Sequence, residues 1–95
     1  MFDARMSESG EILLFGRFDA SQSEKARKFF ETVGMSRTVD FRELEYISSA
    51  GLGVLLSTQL RLSKSGNGLT LINMNTHIQD VFTYSGFDKI FKIGA

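Results

Sequence analysis

The sequence predicts an α/β domain built on a mostly parallel mixed sheet, and three observations carry that prediction. Strand-like apolar runs alternate along the chain with segments whose apolar residues recur at i, i+3 and i+4. Only a short turn separates the first two strand-like runs, which marks an N-terminal β-hairpin; a helix-length segment separates the next ones, as parallel neighbours require. The 95 residues, 42% hydrophobic with nine Phe and no Trp, suffice for one core and not for two, so residues 1–95 read as a single domain.

The elements follow in order. Phe2, Ala4 and Met6 alternate with Asp3 and Arg5, the period of a short edge strand. Ser7-Glu8-Ser9-Gly10 supplies the turn, and the apolar run Ile12-Leu13-Leu14-Phe15 suggests a second strand covered on both faces. Ser21 and Glu24 have the spacing of a capping box, which opens a first helix with Ala26, Phe29, Phe30 and Val33 on one face and Gly34 as its left-handed end. Thr38 to Phe41, prolonged by Leu44 and Tyr46, form a third strand. A second helix starts at Ser48 and turns Leu52, Leu55, Leu56 and Leu60 to the core, with Gln59 and Arg61 towards solvent. Ser65-Gly66-Asn67-Gly68 stops it, and Leu69, Leu71 and Ile72 make a fourth strand. Asn75 caps a third helix whose core positions are Ile78, Val81 and Phe82 and which ends at Gly86; Ile90, Phe91 and Ile93 give a last short strand. The order is ββαβαβαβ, with about three main helices. Parallel strands would bring the loops after strands two, three and four to one edge, and with them Asp19, Ser49 and Asn75.

Composition excludes several function classes. Eleven basic and eleven acidic residues cancel, which leaves no electrostatic footprint for nucleic acid or an anionic membrane. Without cysteine there is neither a disulfide framework nor a thiolate metal site, and the carboxylates are scattered, so no metal and no cofactor is expected. The first ten residues carry Asp3, Arg5 and Glu8 and no apolar run, unlike a signal peptide, and no stretch approaches 18 apolar residues; the expected location is the cytoplasm. His77 is the only histidine and lacks a nucleophile and an orienting partner, while Ser48-Ser49-Ala50-Gly51 lacks the spacing of a nucleophile elbow. The chain does not read as an enzyme.

What remains is the strand-to-helix turn at residues 44–56. Ser48 fits the N-cap, a role that typically contributes ~1 kcal/mol. Ser49 follows it at the positive end of the helix, where its hydroxyl stands beside unpaired backbone N–H groups. Gly51 and Gly53 each cost roughly 1 kcal/mol relative to alanine in a helix, which suggests that a neighbouring backbone approaches closely there. Sheet packing and partner docking explain them equally well at this level. A phosphate on Ser49, carrying about −1.5 to −2 charges, would be favoured by only ~0.3 to 1 kcal/mol at the helix N-terminus, so the fold would tolerate it; in an interface the same charge costs far more.

These residues resemble the STAS domains typified by bacterial anti-sigma factor antagonists, over nearly the whole chain. Gly16-Arg17-Phe18-Asp19 is similar to the family's Gly-Glu-Leu-Asp segment, and Ser48-Ser49-Ala50-Gly51-Leu52-Gly53 to its signature Asp-Ser-Ser/Thr-Gly-Leu-Gly; Ser85-Gly86-Phe87 resembles its Ser-Gly-Leu ending. Ser48 stands in place of the family's Asp, Ala50 in place of its second Ser or Thr, and Arg17 in place of a usual acidic residue. The resemblance implies a single STAS-like domain that binds an anti-sigma factor which is also a serine kinase. Phosphorylation of Ser49, with Ser48 as the reserve site, would end that binding, and a serine phosphatase would restore it. Asp19, Ser21 and the run Ser48, Ser49, Ala50, Gly51, Leu52 and Gly53 are the implied partner-binding residues. The family also implies an alternative, a non-phosphorylated accessory or scaffold subunit of a transporter or signalling complex.

Overall fold

The computed structural model describes residues 1–94. The predicted hairpin forms, with strand β1 (Phe2–Met6) antiparallel to β2 (Ile12–Phe18). Strands β3 (Arg37–Ile47), β4 (Leu69–Ile72) and β5 (Lys92–Ile93) then add in parallel, one after another, so the sheet order is β1-β2-β3-β4-β5. Helix α1 (Ser23–Phe30) joins β2 to β3, α2 (Ser49–Ser63) joins β3 to β4, and α3 (Thr76–Ser85) with a short 3-10 turn (Phe87–Lys89) joins β4 to β5. Each crossover steps to the adjacent strand in the same direction. Because such connections keep one hand, all three helices fall on one face of the sheet.

Burial follows from that geometry. Phe2, Ile12, Leu14, Phe18, Val39, Phe41, Leu69 and Leu71 are buried on the helix side, whereas Leu13, Phe15, Thr38, Thr70 and Ile72 are half-buried on the other. The expectation that β2 is covered on both faces is therefore corrected. An apolar run was compatible with either arrangement, and the one-directional strand order leaves the second face without helices. Phe2 stacks on Phe18 with ring centroids 4.5 Å apart, and Phe82 packs edge-on against both Phe41 and Phe91.

Strand β3 departs from the simple period of two. Its buried residues continue from Phe41 to Leu44 and Ile47, spaced by three. Two extra residues relative to β2, one between the partners of Leu13 and Phe15 and one between those of Gly16 and Arg17, keep each of these side chains on the core face. These bulges deliver Ile47 to the core beside Phe18, at the point where the chain leaves the sheet for α2.

Four helix details differ from the sequence reading. Ser21 and Glu24 form no capping box: Asp19 caps a 3-10 turn at Ala20–Gln22, and Glu24 pairs with Arg27. Gly34 lies outside the left-handed region, because α1 already ends at Phe30. On α2 the core face is Gly51, Leu52, Val54, Leu55, Thr58 and Leu62, while Leu60 is 52% exposed. Gln59 turns inwards, where its Oε1 accepts from the Leu69 N–H at 2.8 Å. Asn75 and Gly86 bound α3 as expected, the first accepting from the Ile78 N–H at 2.8 Å and the second in the left-handed conformation at φ 78°. No helix among the described residues is long and apolar enough to cross a membrane.

Candidate functional site

The carboxyl edge of the sheet carries the site. Phe18 and Ile47 are paired residues at the ends of β2 and β3, both buried, and the chain beyond each emerges at that edge. The Ser48 N–H donates to the Phe18 carbonyl at 2.9 Å, which extends the ladder by one bond and holds the two exits together. Ser48 itself is extended (φ −91°, ψ 171°); its Oγ accepts from the Gly51 N–H at 3.2 Å and its carbonyl from the Leu52 N–H at 2.9 Å. This is the N-cap that the sequence pattern requires.

Ser49 is the first residue of α2 and is exposed. Its hydroxyl has no hydrogen-bond partner among the described residues, in contrast with the neighbouring cap. Ala50 is half-buried, Gly51 and Leu52 are buried, and Gly53 is exposed. The two glycines serve different ends. A Cβ on Gly51 would stand 2.9 Å from Ile47 Cγ1 and 3.0 Å from the Phe18 ring and carbonyl, so the helix can only reach the sheet this closely without a side chain there. A Cβ on Gly53 would meet nothing within 4 Å. Internal packing therefore explains Gly51 and leaves Gly53 unexplained.

Asp19 flanks the same turn from the β2 side. Its Oδ1 accepts from the Ser21 hydroxyl at 2.6 Å and from the Ser21 N–H at 3.1 Å. The hydrogen bond from Ser21, with the charges of the chain's amino terminus and Arg17, holds its carboxyl below the usual range. The Arg17 guanidinium lies 4.4 Å from the centroid of Tyr46, at the same edge. Asn75 is set back from the two serines. Its Nδ2 donates to the carbonyl of Leu44 at 3.4 Å, because β3 continues past β4 to Ile47, so the expected meeting of Asp19, Ser49 and Asn75 reduces to Asp19 and the Ser48–Ser49 turn. His77, in the first turn of α3, is exposed. Among the described residues no group of three or more His, Asp or Glu is arranged to hold a metal ion.

The edge therefore offers a capped turn with a hydroxyl that is free among the described residues and an ionised carboxylate on the neighbouring strand exit. Next to the turn, α1 and α2 leave a groove of about 510 Å³ between them, lined by residues that include Arg27, Ala50, Gly53, Ser57 and Arg61. Sequence reading missed this groove. No sequence signal could have found it, because only the structure distinguishes Gly53, whose Cβ would meet nothing within 4 Å, from Gly51.

Such a sheet, with an exposed serine turn opening its second helix, defines a STAS-type domain. The chain belongs to the STAS-domain family: the family model described as Mlab, STAS domain matches residues 1–93. Among curated relatives, the protein named "Putative anti-sigma factor antagonist BtrV" from Bordetella bronchiseptica is 40% identical over 55 residues, 58% of this chain and 47% of that protein, so the match spans about half of the relative's length. A STAS-domain containing protein of Pseudomonas aeruginosa is 28% identical over 85 residues, 86% of this chain and 84% of that protein. Among solved structures the fold is that of the anti-sigma factor antagonist SpoIIAA. Its unphosphorylated form superposes with a TM-score of 0.73 at 19% identity, over all of this chain and 88% of that one. The phosphorylated form of SpoIIAA, described as a Bacillus cell fate determinant, superposes with a TM-score of 0.71 at 20% identity, over all of this chain and 92% of that one.

Proposed function

We propose that this protein is a phospho-switch binding domain, an anti-sigma factor antagonist that engages a kinase-type anti-sigma factor when unphosphorylated and releases it when Ser49 is phosphorylated. The observation that carries the reading is the division of labour between the two serines: Ser48 is consumed as the cap, and Ser49 stands next to it exposed and without a hydrogen-bond partner among the described residues. A kinase would transfer the γ-phosphoryl group of ATP to Ser49 Oγ. The new bond is Oγ–P, ADP leaves, and the hydroxyl proton passes to the kinase's base. The phosphate would then sit at the N-terminus of α2, where it is tolerated by the fold and repelled or desolvated in an interface. A serine phosphatase would reverse the step. Asp19 and Ser21 supply a second, ionised contact on the same edge, and Leu52 supports the turn from the core. We assign no catalysis, metal or cofactor to the domain and place its work in the cytoplasm. Relatives named or described as anti-sigma factor antagonists, one of them solved in a phosphorylated form, support the reading.

Mass spectrometry after incubation with a kinase-type anti-sigma factor and ATP tests it. One phosphoryl group on the wild type and none on Ser49→Ala is expected; no uptake, or uptake elsewhere, overturns the assignment. The matching family model carries the Mlab description and not that of an antagonist, which favours a second reading, an accessory subunit that binds without being phosphorylated. Under that reading Ser49→Asp leaves co-purification with the partner intact, whereas the phospho-switch requires Ser49→Asp to weaken it.

A further inference from the structure

Gly53 is exposed, lacks any neighbour that would exclude a side chain, and sits in a helix where glycine is a poor choice. It opens onto the groove between α1 and α2. Arg27 of α1 and Arg61 of α2 stand on the two sides of that groove. Arg61 is anchored through Nη2 to the Phe30 carbonyl at 2.9 Å, and Arg27 pairs with Glu24 at 2.9 Å in an arrangement where both side chains are more than half exposed. Exposed pairs of this kind are readily exchanged. Glu31 is the one acidic residue lining the groove. Although the chain as a whole is neutral, residues 23–31 and 49–64 hold, apart from Lys25, which is turned to β1, four basic side chains (Arg27, Lys28, Arg61 and Lys64) against two acidic ones (Glu24 and Glu31), and α2 has no acidic side chain at all.

We propose that this groove receives an acidic helical segment of the partner protein, its backbone passing over Gly53 and its carboxylates meeting Arg27 and Arg61. Guanidinium forks suit carboxylates, and an excess of basic side chains on the helix layer steers an acidic partner to this face. The inference rests on the reading of the Ser49 edge as a partner-binding surface and adds what the partner must present there. It also gives the switch a direction. Ser49 and Gly53 are four residues apart on one helix face, so a phosphate on Ser49 stands beside the path of the acidic segment and repels it.

Amide chemical-shift mapping of the full chain tests the proposal, with an 18-residue helical peptide of Ala, Leu and Glu as the probe and its Glu→Lys counterpart as the control. The acidic peptide should shift the amides of residues 23–31 and 49–61 saturably, weaken as salt is raised, and bind the doubly substituted Arg27→Glu, Arg61→Glu chain at least about tenfold more weakly. Gly53→Leu, a change to a better helix former, should weaken binding without lowering the thermal midpoint. Equal binding of the two peptides, shifts centred on the uncovered sheet face, binding indifferent to the charge reversals, or no binding at millimolar peptide each overturns the proposal. Its failure is separable from that of the Ser49 reading. Phosphate uptake on Ser49 without groove binding removes only the groove, and groove binding without phosphate uptake removes only the switch.

Discussion

The backbone N–H of Ser48 donates to the carbonyl of Phe18 at 2.9 Å. Through this bond the exit of β3 and the exit of β2 become one edge, with Asp19 one residue beyond the acceptor and Ser49 one residue beyond the donor. The free hydroxyl and the ionised carboxylate thus owe their common location to strand pairing between Phe18 and Ile47.

Removal of the cap isolates its share of this arrangement. Ser48→Ala leaves the Gly51 N–H without its side-chain acceptor, at a cost of about 1 kcal/mol. For a domain of this size the thermal midpoint should fall by roughly 4–8 °C. Ser48→Asp caps equally well and should stay close to wild type in the same unfolding experiment; an equal fall for both variants would refute the capping role.

Asp19 provides a pH-dependent readout. Its folded pKa lies below 3.8, so the stabilisation due to its ionised form is present above the unfolded pKa and is lost as pH falls through the lower, folded value. Ser21 contributes the largest cause through its hydroxyl. Ser21→Ala should move the Asp19 carboxyl titration, followed by NMR, upwards towards 3.8, and the onset of acid unfolding should move the same way.

The two glycines of α2 should respond to alanine with opposite signs. Gly51→Ala forces a Cβ to within 2.9 Å of Ile47 Cγ1 and should cost roughly 1–3 kcal/mol, as overpacking does. Gly53→Ala enters open space and should stabilise the helix by about 0.5–1 kcal/mol. Denaturant unfolding of the two variants distinguishes them; loss of stability in both would mean that Gly53 also has an internal role.

The outer edge of β1 is partly filled by side chains. Lys25 Nζ donates to the Phe2 carbonyl at 2.8 Å, the Ala4 N–H donates to Asp3 Oδ1 at 2.9 Å, and the two side chains approach to 3.9 Å. Free edges invite pairing with another chain. Sedimentation velocity of Asp3→Ala combined with Lys25→Ala should show self-association that grows with concentration beyond that of the wild type; identical sedimentation would remove this role.

Much of the architecture was readable from local pattern. The helical spacing of Ile78, Val81 and Phe82, the cap at Asn75 and the left-handed end at Gly86 depend on neighbours a few residues away, and each recurs in the structure, whereas the alternation expected of residues 2–6 holds at Phe2 and fails at Met6, which is exposed at the end of the edge strand. Ser48 as the cap and Ser49 as the exposed residue after it belong to the same class. The Ser21–Glu24 box failed for a local reason of its own: the adjacent Asp19 carboxylate accepts from the Ser21 N–H and hydroxyl, so Ser21 serves as donor to a 3-10 turn and α1 starts two residues later.

The sequence by itself determined the element order, the hairpin and the identity of the serine turn, because hydrophobic period, turn residues and caps act within one or two turns of chain. Tertiary structure alone decided that every helix lies on one face, that two bulges carry Leu44 and Ile47 back to the core, and that Asp19 but not Asn75 joins the serines. It also separated Gly51 from Gly53. In each case the deciding contact is made by residues far apart in sequence, as when Phe18 and Ile47 meet across two strands and leave room beneath α2 for a hydrogen atom and nothing larger.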